Sequence, residues 1–131
     1  MEHFLGYHNT KKMGFPASKL ESPRIYTSNS VRRLPSQAVW LISGEGSSPK
    51  SFYLAAVFKV NRVCAGTYEH PSFENSAHGE GRIFGESICL NGLPWFEALK
   101  EEMLNFKNGL APLQNEVALE ELRCLAGRYA L

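Results

Sequence analysis

Two apolar runs joined by a turn fix most of what this chain can become. Ala38-Val39-Trp40-Leu41-Ile42 is a continuous apolar stretch of strand length. Ser43-Gly44-Glu45-Gly46-Ser47-Ser48-Pro49 follows with turn chemistry, its glycines suited to positive φ. Ser51 to Val63 then reads as a second, longer strand, so the pair predicts a β-hairpin with a long loop. In a regular strand Phe52, Leu54, Ala56, Phe58 and Val60 share one face, and Tyr53, Ala55, Val57, Lys59 and Asn61 the other. Both faces are apolar near the middle. Such a strand needs cover on both sides, as in a small barrel or a sheet with a helix packed outside it.

The rest of the chain is arranged around that hairpin. Phe4-Leu5-Gly6-Tyr7-His8 reads as a short first strand. Residues 9–37 are punctuated by Asn, Gly, Pro and Ser and read as a long loop region with one helical turn near 17–21. Residues 64–81 read as another loop, and Arg82 to Leu90 as a third strand with Gly85 at a bulge or close approach. The period then changes. Pro94 opens a helix whose apolar stripe is Phe96, Leu99, Met103, Leu104 and Phe106, with Gly109 as its stop. A last helix runs from Asn115, a candidate N-cap, to Ala126, with Leu119, Leu122, Leu125 and Ala126 buried and Gly127 ending it. Strands and helices do not alternate, which argues against a doubly wound sheet. The expectation is a single α+β domain over residues 1–131, a small mixed or antiparallel β-barrel with flanking helices, two of them near the C-terminus.

Composition narrows the chemistry. All 13 acidic residues are Glu, which removes every mechanism that depends on Asp. Residues 1–62 carry nine Lys/Arg against three Glu, and residues 63–131 five against ten, so a +6 half faces a −5 half. One face then suits an anionic partner; solvated helix faces are the alternative. Cys64, Cys89 and Cys124 form no CxxC pair and each has apolar neighbours, so they read as buried free thiols in a reducing, cytoplasmic setting. His3, His8, His70 and His78 show no HxxxH or HExxH spacing, and a metal site would need distant residues to converge. No metal and no cofactor is expected. The opening residues lack the basic flank and apolar run of a secretory signal, and no run of eighteen apolar residues predicts a membrane span.

Tyr7-His8-Asn9-Thr10-Lys11-Lys12 gathers an aromatic ring, an imidazole, an amide, a hydroxyl and two ammonium groups at the end of the first strand. Such a set can stack on a base, bond its edge and neutralise phosphate; an ordinary polar loop is the competing reading. Trp40 is either core or one wall of an aromatic pocket with Tyr53 or Tyr7. Ser43 and Gly44 end their strand where backbone can approach a ligand, or form a plain turn. Lys11, Lys12, Arg32 and Arg33 are candidate phosphate contacts or solvated charge. No catalytic residue stands out, although Ser43 or Cys64 with a histidine is a conceivable nucleophile. No phosphate loop of the GxxxxGK[ST] or GxGxxG kind is present, and Gly79-Glu80-Gly81 is only superficially similar.

The segment Val39-Trp40-Leu41-Ile42-Ser43-Gly44, followed after a turn by Tyr53-Leu54-Ala55-Ala56-Val57-Phe58-Lys59-Val60, resembles the central hairpin of PUA-like domains, most of all the EVE type. Phe106, Gly109-Leu110, Pro112-Leu113 and the helix from Asn115 are similar to the closing segment of those domains. The resemblance implies a small β-barrel with flanking helices and an aromatic pocket that receives a nucleobase, often a modified one. It places Trp40, Ser43 and Gly44 on the pocket-side strand and Tyr7, His8 and Asn9 where the first strand meets the pocket. It also implies nucleic acid as partner and, in bacteria, a link to nucleases that restrict modified DNA. The alternatives are a small enzyme pairing His8 with a Glu as acid and base, and a protein-interaction domain using the acidic C-terminal helices.

Overall fold

The computed structural model describes residues 1–131 as six strands in one curled mixed sheet, with three helices. The strands are β1 (His3–Asn9), β2 (Arg24–Thr27), β3 (Ala38–Glu45), β4 (Ser51–Cys64), β5 (Asn75–Ile83) and β6 (Leu110–Pro112). The helices are α1 (Thr10–Met13), α2 (Pro94–Glu102) and α3 (Glu116–Ala126). Across the sheet the order is β2-β5-β4-β3-β1-β6. Only β1 and β3 run parallel; the other neighbours are antiparallel. None of the helices is long and apolar enough to cross a membrane.

The sheet curls into a half-barrel. Ile25 of β2 reaches across the concave side to lie against the backbone of Gly6 in β1. Just past β2, the Asn29 side-chain amide donates to the carbonyls of Asn108 and Leu110 beside β6. The two edge strands are thereby tied at one end. Inside the curl sit Phe4, Ile25, Val39, Leu41, Phe58 and Val60. On the outer face Leu5, Trp40, Ile42, Phe52 and Leu54 pack under Phe96 and Leu99 of α2 and Leu122 of α3. Both faces of β3 are therefore dry, which is what its unbroken apolar run demands.

A bulge in β4 changes the predicted facing. Leu41 lies opposite Ala56 and Ile42 opposite Leu54, which leaves Ala55 as an extra residue. One extra residue reverses the alternation beyond it. Phe52 and Leu54 therefore face the helices, whereas Ala56, Phe58 and Val60 face the concave core. The Ala55 carbonyl accepts from the amides of Phe84 and Gly85, so the bulge has its own partners outside the ladder.

Other boundaries also move. The third long strand covers residues 75–83, mostly inside the stretch that reads as a loop, and the chain turns away after Ile83. Its polar and glycine-rich sequence hides it: Asn75, Ser76 and His78 are buried by hydrogen bonding rather than by apolar character. α2 ends at Glu102, before the Gly109 stop. α3 begins as expected, with the Asn115 Oδ1 accepting from the Ala118 amide at 3.0 Å. Leu125 is on the outward face of α3, and Ala118, Leu122 and Ala126 form its buried stripe. Cys89 and Cys124 are exposed and Cys64 half-buried, which corrects the expectation of buried thiols; Cys124 sits on the solvent side of α3.

At Gly81 β5 approaches β4 more closely than a side chain allows. A Cβ there would overlap the Val57 carbonyl oxygen and lie 2.7 Å from the Phe58 Cα. Backbone, not a flexible side chain, would have to move. Gly81→Ala is expected to lower the unfolding free energy by about 1–3 kcal/mol, the usual cost of overpacking. Urea unfolding monitored by circular dichroism gives the value, and an unchanged midpoint would refute the close approach.

Candidate functional site

The first strand positions the site. Parallel pairing sets Tyr7 beside Ile42, His8 beside Ser43 and Asn9 beside Gly44. Gly44 has no side chain, and its Cα face is occupied by the Tyr7 phenol; a Cβ there would overlap the hydroxyl. The ring thus leans across the end of β3. It stacks on Phe106 with centroids 5.4 Å apart and planes 21° off parallel. Phe106 in turn stacks on Phe96 at 5.8 Å, and Phe52 packs against both Tyr7 and Phe106. Tyr7 is the half-buried outer member of this buried aromatic cluster. Lys50, at the start of the β4 side of the hairpin, donates from Nζ to the Tyr7 hydroxyl at 3.3 Å.

A cavity of about 180 Å³ opens beside that ring. Tyr7, Phe73 and Phe106 supply aromatic surface, Asn9 and Asn105 supply amides, and Lys12, Lys50 and Lys107 supply ammonium groups. No carboxylate lines it. The Lys12 ammonium lies 5.2 Å from the centre of the Phe73 ring. Behind Phe106 a smaller apolar hollow of about 100 Å³ continues between Leu5, Met103 and Leu110. On the other side of Tyr7 a shallow concavity carries Lys100, whose charge is taken by Glu97 at 2.7 Å.

The wall next to Tyr7 is built from backbone of the wrong hand. Leu104, Asn105 and Phe106 have φ of 51°, 56° and 60°. A left-handed turn of non-glycine residues costs roughly 1–2 kcal/mol per residue, and Asn bears it most easily. The reversal folds the chain back from α2 so that Phe106 slides under Tyr7 while Leu104 is left 66% exposed.

The predicted residues fall into two groups. Tyr7, Asn9 and Lys12 meet at the cavity, and Asn9 also caps α1 by accepting from the Lys12 amide at 3.3 Å. The others do not line it. Trp40 is fully buried on the helix side of β3, where its Nε1 donates to His3 Nδ1 at 3.1 Å. It is core, because β3 is covered on both faces. Ser43 is buried with its hydroxyl unpartnered. Gly44 is closed over by Tyr7 rather than open to a ligand. Tyr53 pairs across to Ser43 and to Cys89, away from the cavity wall. His8 points to the opposite side of β1 from Tyr7 and is buried, its Nε2 donating to the Phe15 carbonyl at 2.8 Å. No carboxylate is hydrogen-bonded to that imidazole, so the His8–Glu pair is not formed. Lys11 is exposed on α1 outside the cavity. Arg33 pairs with Glu2 at 2.8 Å, and Arg32 is its exposed neighbour. Glu2 precedes β1 whereas Tyr7 is near its end, so these arginines serve the opposite end of the strand.

Sequence reasoning missed Lys50, Phe73, Asn105 and Lys107, and took Phe106 for helix core. Lys50 follows the Pro49 of a turn, a place where a charge reads as solvated. Phe73 is an apolar aromatic in an otherwise polar loop, and that contrast is the available signal.

No protein-family model matches the chain, and no curated protein and no solved structure matches it.

Two predictions follow from this geometry. Burial pushes the His8 imidazole below its ordinary value; the Phe15 carbonyl opposes this and His70 adds to it. Burial also lowers His3, helped by Arg123 and the terminal amine. An unfolded histidine titrates near 6.5, so below that pH the unfolded chain binds more protons than the folded one and stability falls. The Glu69 carboxyl, held down to about 2 mainly by the Ser76 hydroxyl and His78, loses its contribution only well below this window. The urea midpoint should therefore drop between pH 7.5 and 5.5, and drop less in His8→Gln. For the left-handed turn, Leu104→Gly should raise stability by up to about 1 kcal/mol, since glycine removes the steric cost at an exposed position. A lower midpoint in that variant would show that the turn is not strained.

Proposed function

We propose that this chain is a non-catalytic nucleic-acid reader that takes one unpaired or flipped nucleobase, modified bases included, into the cleft beside Tyr7. The single observation that carries the reading is the make-up of that cleft: three aromatic rings and three lysine ammonium groups with no carboxylate among them. A planar aromatic anion satisfies both halves of such a wall. Rings stack on the base, at about 1–3 kcal/mol per base, and ammonium groups neutralise the flanking phosphates. Asn9 and Asn105 bring amides that can bond a base edge.

We read the chain as PUA-like, of the EVE type, on the resemblance of hairpin residues 39–44 and 53–60; the curled mixed sheet with helices on its outer face is compatible with that reading. In this reading Tyr7, Phe73 and Phe106 do the work that the sequence pattern assigns to Trp40 and Tyr53. The phosphate contacts are Lys12, Lys50 and Lys107 rather than Arg32 and Arg33. A nuclease recruited by such a reader would direct cleavage to modified DNA.

Fluorescence anisotropy with single-stranded and duplex oligonucleotides, carrying plain or 5-substituted cytosine, tests the proposal. Three phosphate contacts on a single strand predict a slope of about −2 for log K against log salt. Tyr7→Ala should weaken binding about 5- to 150-fold, the equivalent of one stacked base, and Tyr7→Phe should keep most of the affinity. Lys107→Ala should reduce the salt slope by about 0.7. A folded Tyr7→Ala protein that binds every oligonucleotide like wild type overturns the reading.

A further inference from the structure

Away from the cleft, three chemically different metal-binding groups converge. Cys64 ends β4 and His78 lies on β5, in a register that pairs Arg62 with His78 and Cys64 with Ser76. Arg62, Cys64, Ser76 and His78 consequently share one face of the two-stranded ribbon. The segment between the strands folds back over that face. Its Tyr68 amide donates to the Glu74 carbonyl, and the Gly66 amide to Asn75 Oδ1 at 3.0 Å. Positive φ at Gly66 and Tyr68 makes the return tight. Glu69 is thereby delivered onto the thiol and the imidazole.

The Cys64 Sγ, a Glu69 carboxylate oxygen and a His78 ring nitrogen all lie within 4.8 Å of one another. His78 Nε2 is 3.0 Å from Glu69 Oε1, and the His78 side chain is only 8% exposed. Bonds of about 2.0–2.3 Å to nitrogen, oxygen and sulfur put tetrahedral ligand atoms roughly 3.2–3.7 Å apart, so small side-chain rotations admit an ion at the centre. The surroundings suit such an ion. The Ser76 hydroxyl donates to Glu69 and orients the carboxylate. The Arg62 guanidinium lies 3.0 Å from the Cys64 sulfur, so that sulfur already faces a polar partner on the same strand.

We propose that Cys64, Glu69 and His78 bind one zinc-type divalent cation, with the fourth coordination position left to water. One soft sulfur, one imidazole and one carboxylate match zinc and exclude calcium and magnesium, which require oxygen ligands. Binding releases the thiol proton to solvent, and the imidazole proton shifts to Nδ1 so that the Nε2 lone pair reaches the metal. The spacing of Cys64, Glu69 and His78 matches no zinc motif, since the donors come from two strands and a loop. Phe73, one wall of the cleft, belongs to the same loop that the ion would clamp. The metal site stands independently of the base-reading proposal.

Cobalt(II) titration of the whole chain, followed by absorption spectroscopy, is the test. The expected result is saturation at one equivalent, with a thiolate-to-cobalt charge-transfer band and the strong d–d bands of a four-coordinate ion, all displaced by zinc. Cys64→Ser should abolish the charge-transfer band, whereas the Cys89→Ser/Cys124→Ser double variant should retain it. Glu69→Gln and His78→Gln should weaken affinity by at least about tenfold. Cys64→Ser and Glu69→Gln alter positions that are not fully buried, so they keep the test valid if His78→Gln fails to fold. Absence of the band at one equivalent, or a band that survives in Cys64→Ser, overturns the proposal.

Discussion

Seven residues of β1 lie in parallel register with β3, from His3 beside Ala38 to Asn9 beside Gly44. Parallel strands cannot be joined by a tight turn, so the chain must travel back the full length of β1 before β3 begins. Residues 10–37 make that return. This explains why so long a stretch without obvious periodicity is present, and why it is not idle. It places Ala17, Leu20, Val31 and Leu34 in the concave core and supplies β2 to the far edge of the sheet. The same pairing decides the site, because it sets Tyr7 next to the one residue of β3, Gly44, whose missing side chain leaves room for a phenol.

The curl follows from local irregularities rather than from overall pattern. Extra residues at Ala55 and Asn61 add twist to β4, and glycines at 79 and 81 let β5 press against it. The longest strand thus serves two cores, the helix-covered one at its start and the concave one beyond the first bulge. Without that change of facing, Phe52 and Phe58 would lie on the same side. Phe52 would then be lost from the aromatic cluster that supports Tyr7.

How much of this the sequence discloses depends on whether a feature is local. The apolar run 38–42 and the stripe and cap of the last helix are local and were legible. The alternation of β4 was legible only up to a bulge, which leaves no mark on composition. β5 was hidden because its burial is polar: Asn75 bonds Asn29 and Gly66, and His78 bonds Glu69. At the cleft, Tyr7, Asn9 and Lys12 were legible because they sit within six residues of one another. Phe73 and Lys107 were not, since only the closed fold brings them near. Trp40 illustrates the reverse error: an aromatic residue in a doubly covered strand is core before it is a pocket wall.

The cleft lies at the seam between the sheet and its helical layer. Tyr7 belongs to the sheet, Phe106 to the turn that leaves α2, Phe73 to the loop between β4 and β5, and Lys50 to the hairpin. No single element could hold these groups together. Buried rings at Phe52, Phe96 and Phe106 anchor the seam, and the left-handed residues 104–106 spend conformational energy to keep Phe106 in place. A glycine at the end of α2 would avoid that cost. Here glycine comes only at position 109, after the strained residues, and the Gly109 carbonyl accepts from the Tyr7 amide at 2.8 Å. The strained turn is therefore fastened directly to the strand that carries Tyr7. The Tyr7–Phe106 stack and the turn that carries Phe106 thus form one continuous side of the cleft, held by contacts from both layers of the fold.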